Sequence, residues 1–254
     1  MSLSNFAELE LLDHVLGNGV YTAPTIYVAL GTGATDASLT GEPAGSGYAR
    51  VAHASWATAA ARSTNNTGAI TFPEASGSWG TITHYALYDA ATVGNMIAWG
   101  ALSASVAVVS GNTPSIATTT LTVTFDAGGT SNFLALELLD HLFGVGAYTP
   151  PTIYAALSTA DPTDAGSGLA EPANNYARPT HASWNTAAAG AIDNNGVLSF
   201  AVPSGTWGLI TYCALMDAIT SGNMLFYGTA TPNQTPENGD TVQFADTAFA
   251  LTLT

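Results

Sequence analysis

The sequence predicts a mainly β protein of two tandem antiparallel β-sandwich domains, each opening with one N-terminal α-helix. An end-to-end internal repeat indicates two domains, an apolar pattern at helical spacing opens each copy, and short runs rich in Val, Ile, Thr and aromatic residues follow. About six to eight such runs per copy, separated by Gly-, Pro-, Asn- and Ser-rich loops, are typical of a sandwich. We expect the sandwich to be jelly-roll-like.

The internal repeat covers the chain almost completely, and three segments show it best. They are SNFAELELLDHVLGNGVYTAPTIYVAL at Ser4–Leu30, which returns at Ser131–Leu157, YARVAHASW at Tyr48–Trp56, which returns at Tyr176–Trp184, and GSWGTITHYALYDAATVGNMIAWG at Gly77–Gly100, which returns at Gly205–Gly228. Two copies of about 127 residues each have the usual size of one domain. The glycine-rich stretch 128–130 marks the junction, so the predicted β-sandwich domains are 1–127 and 128–254.

Each copy opens with the signals of an amphipathic helix. In the first copy Ser4 or Asn5 can cap the helix, and Gly17 can end it in a left-handed conformation. The apolar positions at helical spacing are Phe6, Leu9, Leu12 and Leu16 in the first copy, and the second copy repeats the pattern with Asn132, Phe133, Leu136, Leu139, Phe143 and Gly144. The sequence leaves open whether this helix packs within its own domain or against a partner.

Short strands are predicted after each helix because β-branched and aromatic residues cluster there between turn-forming residues. In the first copy they are Thr25–Leu30, Tyr48–Ala54, Ala69–Phe72, Thr81–Tyr88, Met96–Leu102 and Thr118–Phe125. In the second copy they are Thr152–Leu157, Val197–Phe200, Leu209–Met216, Met224–Thr229, Thr241–Phe244 and Ala248–Leu253.

The charge balance argues against nucleic acid and membrane partners. The chain carries 18 acidic residues, three Arg and no Lys, for a net charge of −15. Phosphate-backbone binding depends on Lys and Arg, so this chain would be repelled by nucleic acid and by anionic lipid. Charged residues make up only 8% of the sequence, and a surface of Ser, Thr, Asn, Gly and Ala suits close contact with neighbouring proteins.

Cysteine usage and hydropathy restrict the cellular context. Cys213 is the single cysteine, which excludes an internal disulfide and a cysteine-based metal site; we expect it to be a small buried strand residue. The opening MSLSNFAELE lacks the basic and apolar regions of a secretory signal, and no apolar run approaches the roughly 20 residues of a membrane span. We therefore expect maturation in a reducing cytoplasm.

No residue pattern of an enzyme or of a cofactor site stands out. His53 and His181 occur in a repeated A-S-W context, but the chain contains neither G-x-S-x-G nor H-E-x-x-H. Acidic residues around Asp161 and Asp193 do not match the spacing of a calcium-binding loop and are ordinary turn formers. We expect no enzymatic activity, no cofactor and no metal.

Six residues are candidates for structural or interface roles, namely Arg50, Arg178, Trp79, Trp207, His53 and His181. Because Arg is scarce, we expect Arg50 and Arg178 to pair with a carboxylate within the domain or, alternatively, across a subunit contact. The two Trp are expected to close one end of the sandwich, with an exposed sugar platform as the alternative. The two His are expected to pack beside the Trp of the A-S-W motif.

Together, the S-N-F…L-L-D-H opening, the Y-A-R strand, the W-G-T-I-T-H-Y-A-L-Y-D-A segment and G-N-M-I-A-W-G-A-L resemble a family of small tailed-bacteriophage virion proteins. Its members are commonly labelled tail fibre proteins. The resemblance covers each half almost entirely, with the duplication as the departure, and similar compact β domains also serve as capsid decoration or cement proteins.

This resemblance implies a structural protein of the virion. The leading hypothesis is a capsid decoration or cement protein that stabilises the head by bridging capsomers, because the chain lacks the heptads or fibrous repeats of a shaft. Its partner would be the major capsid protein or other virion proteins, and its predicted oligomer is a trimer. The alternative is a tail fibre or tail-tip protein that binds a host surface glycan through exposed aromatic residues beside Asn and Asp.

Overall fold

The computed structural model describes residues 2–253, and both repeats begin with a helix and continue as strands. The elements of the first repeat are β1 (Ser2–Leu3), α1 (Asn5–Val15), β2 (Tyr27–Gly31), β3 (Gly33–Thr35), β4 (Ser38–Thr40), β5 (Val51–Ala52), β6 (Ser63–Asn65), β7 (Ile70–Thr71), β8 (Gly80–Tyr88), β9 (Met96–Val108), β10 (Ser115–Ile116) and β11 (Thr122–Thr124). Those of the second repeat are α2 (Asn132–Leu142), β12 (Tyr154–Ser158), β13 (Ala191–Asp193), β14 (Leu198–Ser199), β15 (Ile210–Met216), β16 (Met224–Gln234), β17 (Gln243–Phe244) and β18 (Ala250–Thr252).

One antiparallel sheet forms the centre of each repeat. In the first repeat its order is β1-β9-β8-β2-β5, and in the second the equivalent strands are β12-β15-β16. The outer strands of the second repeat are reduced to single bridges, Thr130 with Phe226 and Tyr154 with Thr180. Leu30 and its neighbours in β2 form a nearly continuous buried run, as expected for a strand covered on both faces.

The remaining strands form two-stranded antiparallel pairs. They are β7 with β10, β6 with β11 and β3 with β4 in the first repeat, and β14 with β17 and β13 with β18 in the second. The predicted mainly β, antiparallel fold in two repeated halves, each with one opening helix, is confirmed. The jelly-roll arrangement is not confirmed, because these separate short pairs do not compose a second large sheet.

The helices begin and end where the capping residues indicate. The Ser4 hydroxyl accepts a hydrogen bond from the Ala7 amide, and Ser131 does the same for Leu134. Gly17 and Gly144 have left-handed φ angles of 77° and 69°. Such angles cost glycine little, which explains the stop after each helix.

The buried side of each helix is turned relative to the predicted one. Phe6 and Leu9 are only partly buried, whereas Ala7 and Leu11 are completely buried. Leu12 and Leu16 are buried as predicted, so the apolar stripe is wider towards the C-terminal end of the helix. The second helix shows the same shift.

The chain forms two compact units that exchange parts of their opening helices. The first unit consists of the chain up to Glu8, Thr22–Phe125 and Glu137–Tyr148. The second unit consists of Leu9–Tyr21, Asp126–Leu136 and the chain from Thr149 onwards. Each unit therefore contains the C-terminal part of the other repeat's helix. That residues 1–127 and 128–254 are two separate domains stays a prediction.

The exchanged helix segments complete the core of each unit. In the first unit Leu138, Leu142 and Phe143 are at most 5% exposed, and the Phe143 ring lies 4.3 Å from the Trp56 ring. In the second unit Leu11 and Val15 are fully buried in the same way. Full burial of each such side chain contributes about 1.5–3 kcal/mol to the stability of the unit.

Candidate functional site

A half-buried aromatic ring lies beside an aspartate on the central sheet of the first unit. Trp99 extends from β9, and its indole N–H donates a hydrogen bond of 2.9 Å to Asp36 Oδ1 at the tip of the β3–β4 hairpin. His84 on the neighbouring β8 places its ring 6.2 Å from Trp99. His84 Nδ1 lies 2.8 Å from the Thr83 hydroxyl. We call Trp99, His84 and Asp36 the first aromatic–aspartate face.

The second unit repeats this arrangement with different aromatic residues. The Tyr227 hydroxyl on β16 donates to Asp164, and Tyr212 on β15 occupies the position of His84. We call Tyr227, Tyr212 and Asp164 the second aromatic–aspartate face.

Both faces combine an aromatic ring with unused acceptor capacity. A carboxylate offers about four acceptor positions; the aromatic donor occupies one on each aspartate, and the Gly128 amide, at 3.2 Å, occupies a second on Asp164. Asp36 is exposed to solvent, and the rings of Trp99 and Tyr227 are partly exposed. Rings with an apolar body and a polar edge, next to carboxylate acceptors, can bind a ligand that has both apolar C–H surfaces and hydroxyl donors.

An arginine clamp fixes the loops next to the first face. Arg50 forms a bidentate ion pair with Glu42, with Nε–Oε1 and Nη2–Oε2 distances of 2.8 Å. Its Nη1 donates to the carbonyl oxygens of Ala90 and Val93 in the β8–β9 turn, and its guanidinium lies 3.5 Å above the Tyr88 ring. One side chain therefore ties the end of the β3–β4 hairpin to the turn between the two central strands.

The second unit contains the same clamp. Arg178 pairs with Glu171 at 2.7 Å and 2.8 Å, and its Nη1 donates to the carbonyl oxygens of Ala218 and Ser221. Both carboxylate partners lie in the same unit as their arginine. A contact of Arg50 or Arg178 with another subunit stays a prediction.

A tyrosine hydroxyl joins each clamp to the central sheet. The Tyr48 hydroxyl accepts from the Leu30 amide and donates to Glu42 at 2.9 Å. Tyr176 accepts from the Leu157 amide at 2.8 Å. Burial, the largest cause, raises the pKa of both tyrosines, so these hydroxyls keep their proton and continue to donate.

Turns on the outer side of the clamps are closed by aspartate. Asp89 accepts from the amide and the side chain of Asn95, and Asp217 accepts in the same way from Asn223. These bonds close the turn between β8 and β9 and the equivalent turn between β15 and β16. The turn that Arg50 holds therefore has a second, independent set of bonds.

The predicted tryptophan and histidine candidates are not members of the two faces. Trp79 and Trp207 are buried, and their indole N–H groups donate to the carbonyl oxygens of Ser46 and Asn174. Their burial excludes them as sugar platforms. His53 and His181 pack edge-on against the neighbouring Trp of the A-S-W motif, at 5.3 Å and 5.0 Å. An interface role for these residues stays a prediction.

The cavities of the two units differ too much to support a shared function. A cavity of about 570 Å³ in the second unit lies beside Leu157, Ile210 and Phe244. In the first unit the cavity beside Leu30 and Ile82 measures about 100 Å³.

Within residues 2–253 no cluster of three or more His, Cys, Asp or Glu side chains could hold a metal ion. No helix in that range is long and apolar enough to cross a membrane.

Comparison with known proteins identifies the family. The model of the family described as podophage GP4 fiber I protein gp80 matches the chain twice, over residues 2–124 and 129–252. The chain belongs to this family. A search of curated proteins gave no match. This fibre protein is therefore a structural component of the phage virion, with other virion proteins as its partners, and the resemblance to a tail fibre family in tandem duplication is confirmed.

The family match changes the order of the two functional hypotheses. It supports the fibre alternative better than the capsid decoration hypothesis. The predicted trimer and the binding to a major capsid protein are not confirmed, and assembly in the host cytoplasm stays a prediction.

Sequence reasoning did not select Trp99, Asp36, Tyr227 or Asp164 as site residues. Their only signal was an aromatic residue at the same place in both G-N-M repeats.

Proposed function

We propose that this chain is a tail-fibre component that binds a host surface glycan through the two aromatic–aspartate faces. Membership of a phage fibre family is the observation that carries the proposal. The faces supply the binding chemistry, because each has a partly exposed ring beside a carboxylate with remaining acceptor capacity. We propose binding without enzymatic activity.

The charge of the chain restricts the glycan class. A net charge of −15 repels anionic polymers, and Asp36 and Asp164 lie at the faces themselves. Hydroxyl groups of a neutral sugar, or the ammonium group of an amino sugar, are the donors that these carboxylates fit. The proposed ligand is therefore a neutral or amino-sugar-containing surface polysaccharide.

Rigid support of the faces favours binding. The Arg50 and Arg178 clamps each hold a loop and a turn with four hydrogen bonds, so little conformational entropy remains to be lost when a ligand binds.

The first experiment locates the chain and measures its binding. Antibodies against the purified chain, detected by immunogold electron microscopy, are expected to label the tail region of intact virions. The purified chain is expected to bind host cells, and the double variant Trp99→Ala/Tyr227→Ala should weaken binding about tenfold or more, as for loss of aromatic interface anchors.

Matched controls separate binding from folding. Glu74→Gln changes an exposed carboxylate outside both faces and should bind like the unchanged protein. Thermal unfolding of the double variant shows whether it remains folded. Gold on the capsid would contradict the fibre location and favour capsid decoration. Full binding by a folded double variant would contradict the proposed faces, and release of reducing ends from the polysaccharide would contradict the absence of enzymatic activity.

A further inference from the structure

The C-terminal part of each opening helix is held by the other repeat through the same contacts. In the first unit Asp140 Oδ1 accepts a hydrogen bond of 2.6 Å from the Ala59 amide. In the second unit Asp13 Oδ1 accepts one of 2.8 Å from the Ala187 amide. Asp13 and Asp140 occupy equivalent positions in the two repeats, as do Ala59 and Ala187. The exchange is therefore reciprocal.

Further contacts attach the exchanged segments to the A-S-W motif. Phe143 packs at 4.3 Å against the ring of Trp56 in the first unit. In the second unit the Asn18 side chain donates to the carbonyl oxygens of Trp184 and Asn185, at 3.1 Å and 2.7 Å. The repeated A-S-W motif and the alanine three residues after its Trp thus form the surface that receives the helix. We call this the helix-acceptor surface.

Removal of the exchanged helix would leave the acceptor unit incomplete. Leu138 and Leu142 are fully buried in the first unit, and Leu11 and Val15 are fully buried in the second. Without the helix, apolar core surface and the Ala59 or Ala187 amide would be uncovered. Both losses disfavour the folded state, because apolar exposure and a lost charge-assisted hydrogen bond each destabilise it.

We propose that the helix-acceptor surface is a recognition site for the opening helix of a second copy of the repeat, so that one repeat does not complete its core alone. In this chain the second copy is supplied by the duplication. Opening of the helices allows the same surface to take the helix from a second copy of the chain. The inference is independent of glycan binding, because it concerns residues outside the two aromatic–aspartate faces.

Amide hydrogen exchange in the intact chain tests the reciprocal contacts. Asp140→Ala, in the second repeat, should accelerate exchange of the Ala59 amide in the first repeat about tenfold or more, with little change at Ala187. Asp13→Ala should have the opposite pattern, and Glu74→Gln should change neither amide. If Asp140→Ala instead accelerates exchange at Ala187, each helix packs in its own repeat and the proposal is wrong.

A nicked chain tests recognition between separate copies. A protease site inserted at residues 126–129 allows the two repeats to be cut apart after folding. We expect the halves to migrate together in native buffer. When isotope-labelled and unlabelled nicked chains are unfolded in urea and refolded together, native mass spectrometry should show hybrids of one labelled and one unlabelled half. Folded halves that separate in native buffer would overturn the proposal.

Discussion

Replacement of Arg178 with Ala tests how much one clamp stabilises its unit. The Arg178 side chain is 4% exposed, and it donates two hydrogen bonds to Glu171 and two to carbonyl oxygens of the 218–221 turn. Removal of one partner from a buried ion pair destabilises a protein by about 3–5 kcal/mol. Because Glu171 is 28% exposed, water recovers part of this loss. We expect the free energy of unfolding to fall by about 2–4 kcal/mol.

Urea unfolding followed by tryptophan fluorescence measures this loss. The matched variants are Glu171→Gln and the double variant Arg178→Ala/Glu171→Gln. The double variant should lose less than the sum of the two single losses, because it leaves no unpaired charge. A loss below about 1 kcal/mol for Arg178→Ala would refute the reasoning, since it is the level of an exposed ion pair.

Three further predictions concern single residues. Burial raises the pKa of the Cys213 thiol to about 11 from 9.0, so alkylation at pH 8 should be about 100-fold slower in the folded than in the unfolded chain, measured by mass spectrometry; equal rates would contradict it. Burial, and secondarily Asp36, raises the pKa of Glu8 in the folded state above its ordinary value of 4.5. Between the ordinary and the raised pKa, the folded state holds a proton that the unfolded state has lost, so the free energy of unfolding falls as pH rises through that window. Glu8→Gln should therefore gain stability relative to the unchanged protein between pH 4 and pH 7, by less than about 1 kcal/mol in thermal unfolding, and a constant difference would contradict this. Ser131→Ala removes a helix cap and should lose about 1 kcal/mol in urea unfolding, with a similar loss for Ser4→Ala; no loss in either would contradict the capping role.

Local sequence signals predicted much of the fold. Capping residues and glycine placed both helices, and the run Thr81–Tyr88 predicted strand β8, observed at Gly80–Tyr88, to within one residue. Strand β6 was missed, because Ser63–Asn65 has no apolar alternation, whereas its partner β11, about 60 residues away, lies within the predicted strand Thr118–Phe125. Such a pair is specified by tertiary contacts rather than by propensity.

The candidate glycan site could be predicted only in part. The repeated position of Trp99 and Tyr227 was visible in the sequence, but the aspartate beside each ring lies 63 residues away along the chain. The hairpin that carries Asp36 is a pair of strands in the first repeat only. Sequence comparison of the repeats therefore gives no register for this loop, and the contact requires the folded sheet.

Exchange of the helices could not be predicted from the sequence. Because the two repeats are so similar, the opening helix of either repeat has an equivalent acceptor surface in both. Asp13 and Asp140 each find an alanine amide after an A-S-W motif, whichever repeat supplies it. The side-chain chemistry of the two choices is nearly the same, so contact energies do not select between them. Effective concentration favours exchange within one chain over exchange between two chains, since both repeats belong to the same molecule. The duplicated chain thus forms the helix exchange internally. Two separate repeats could form it only by associating with each other.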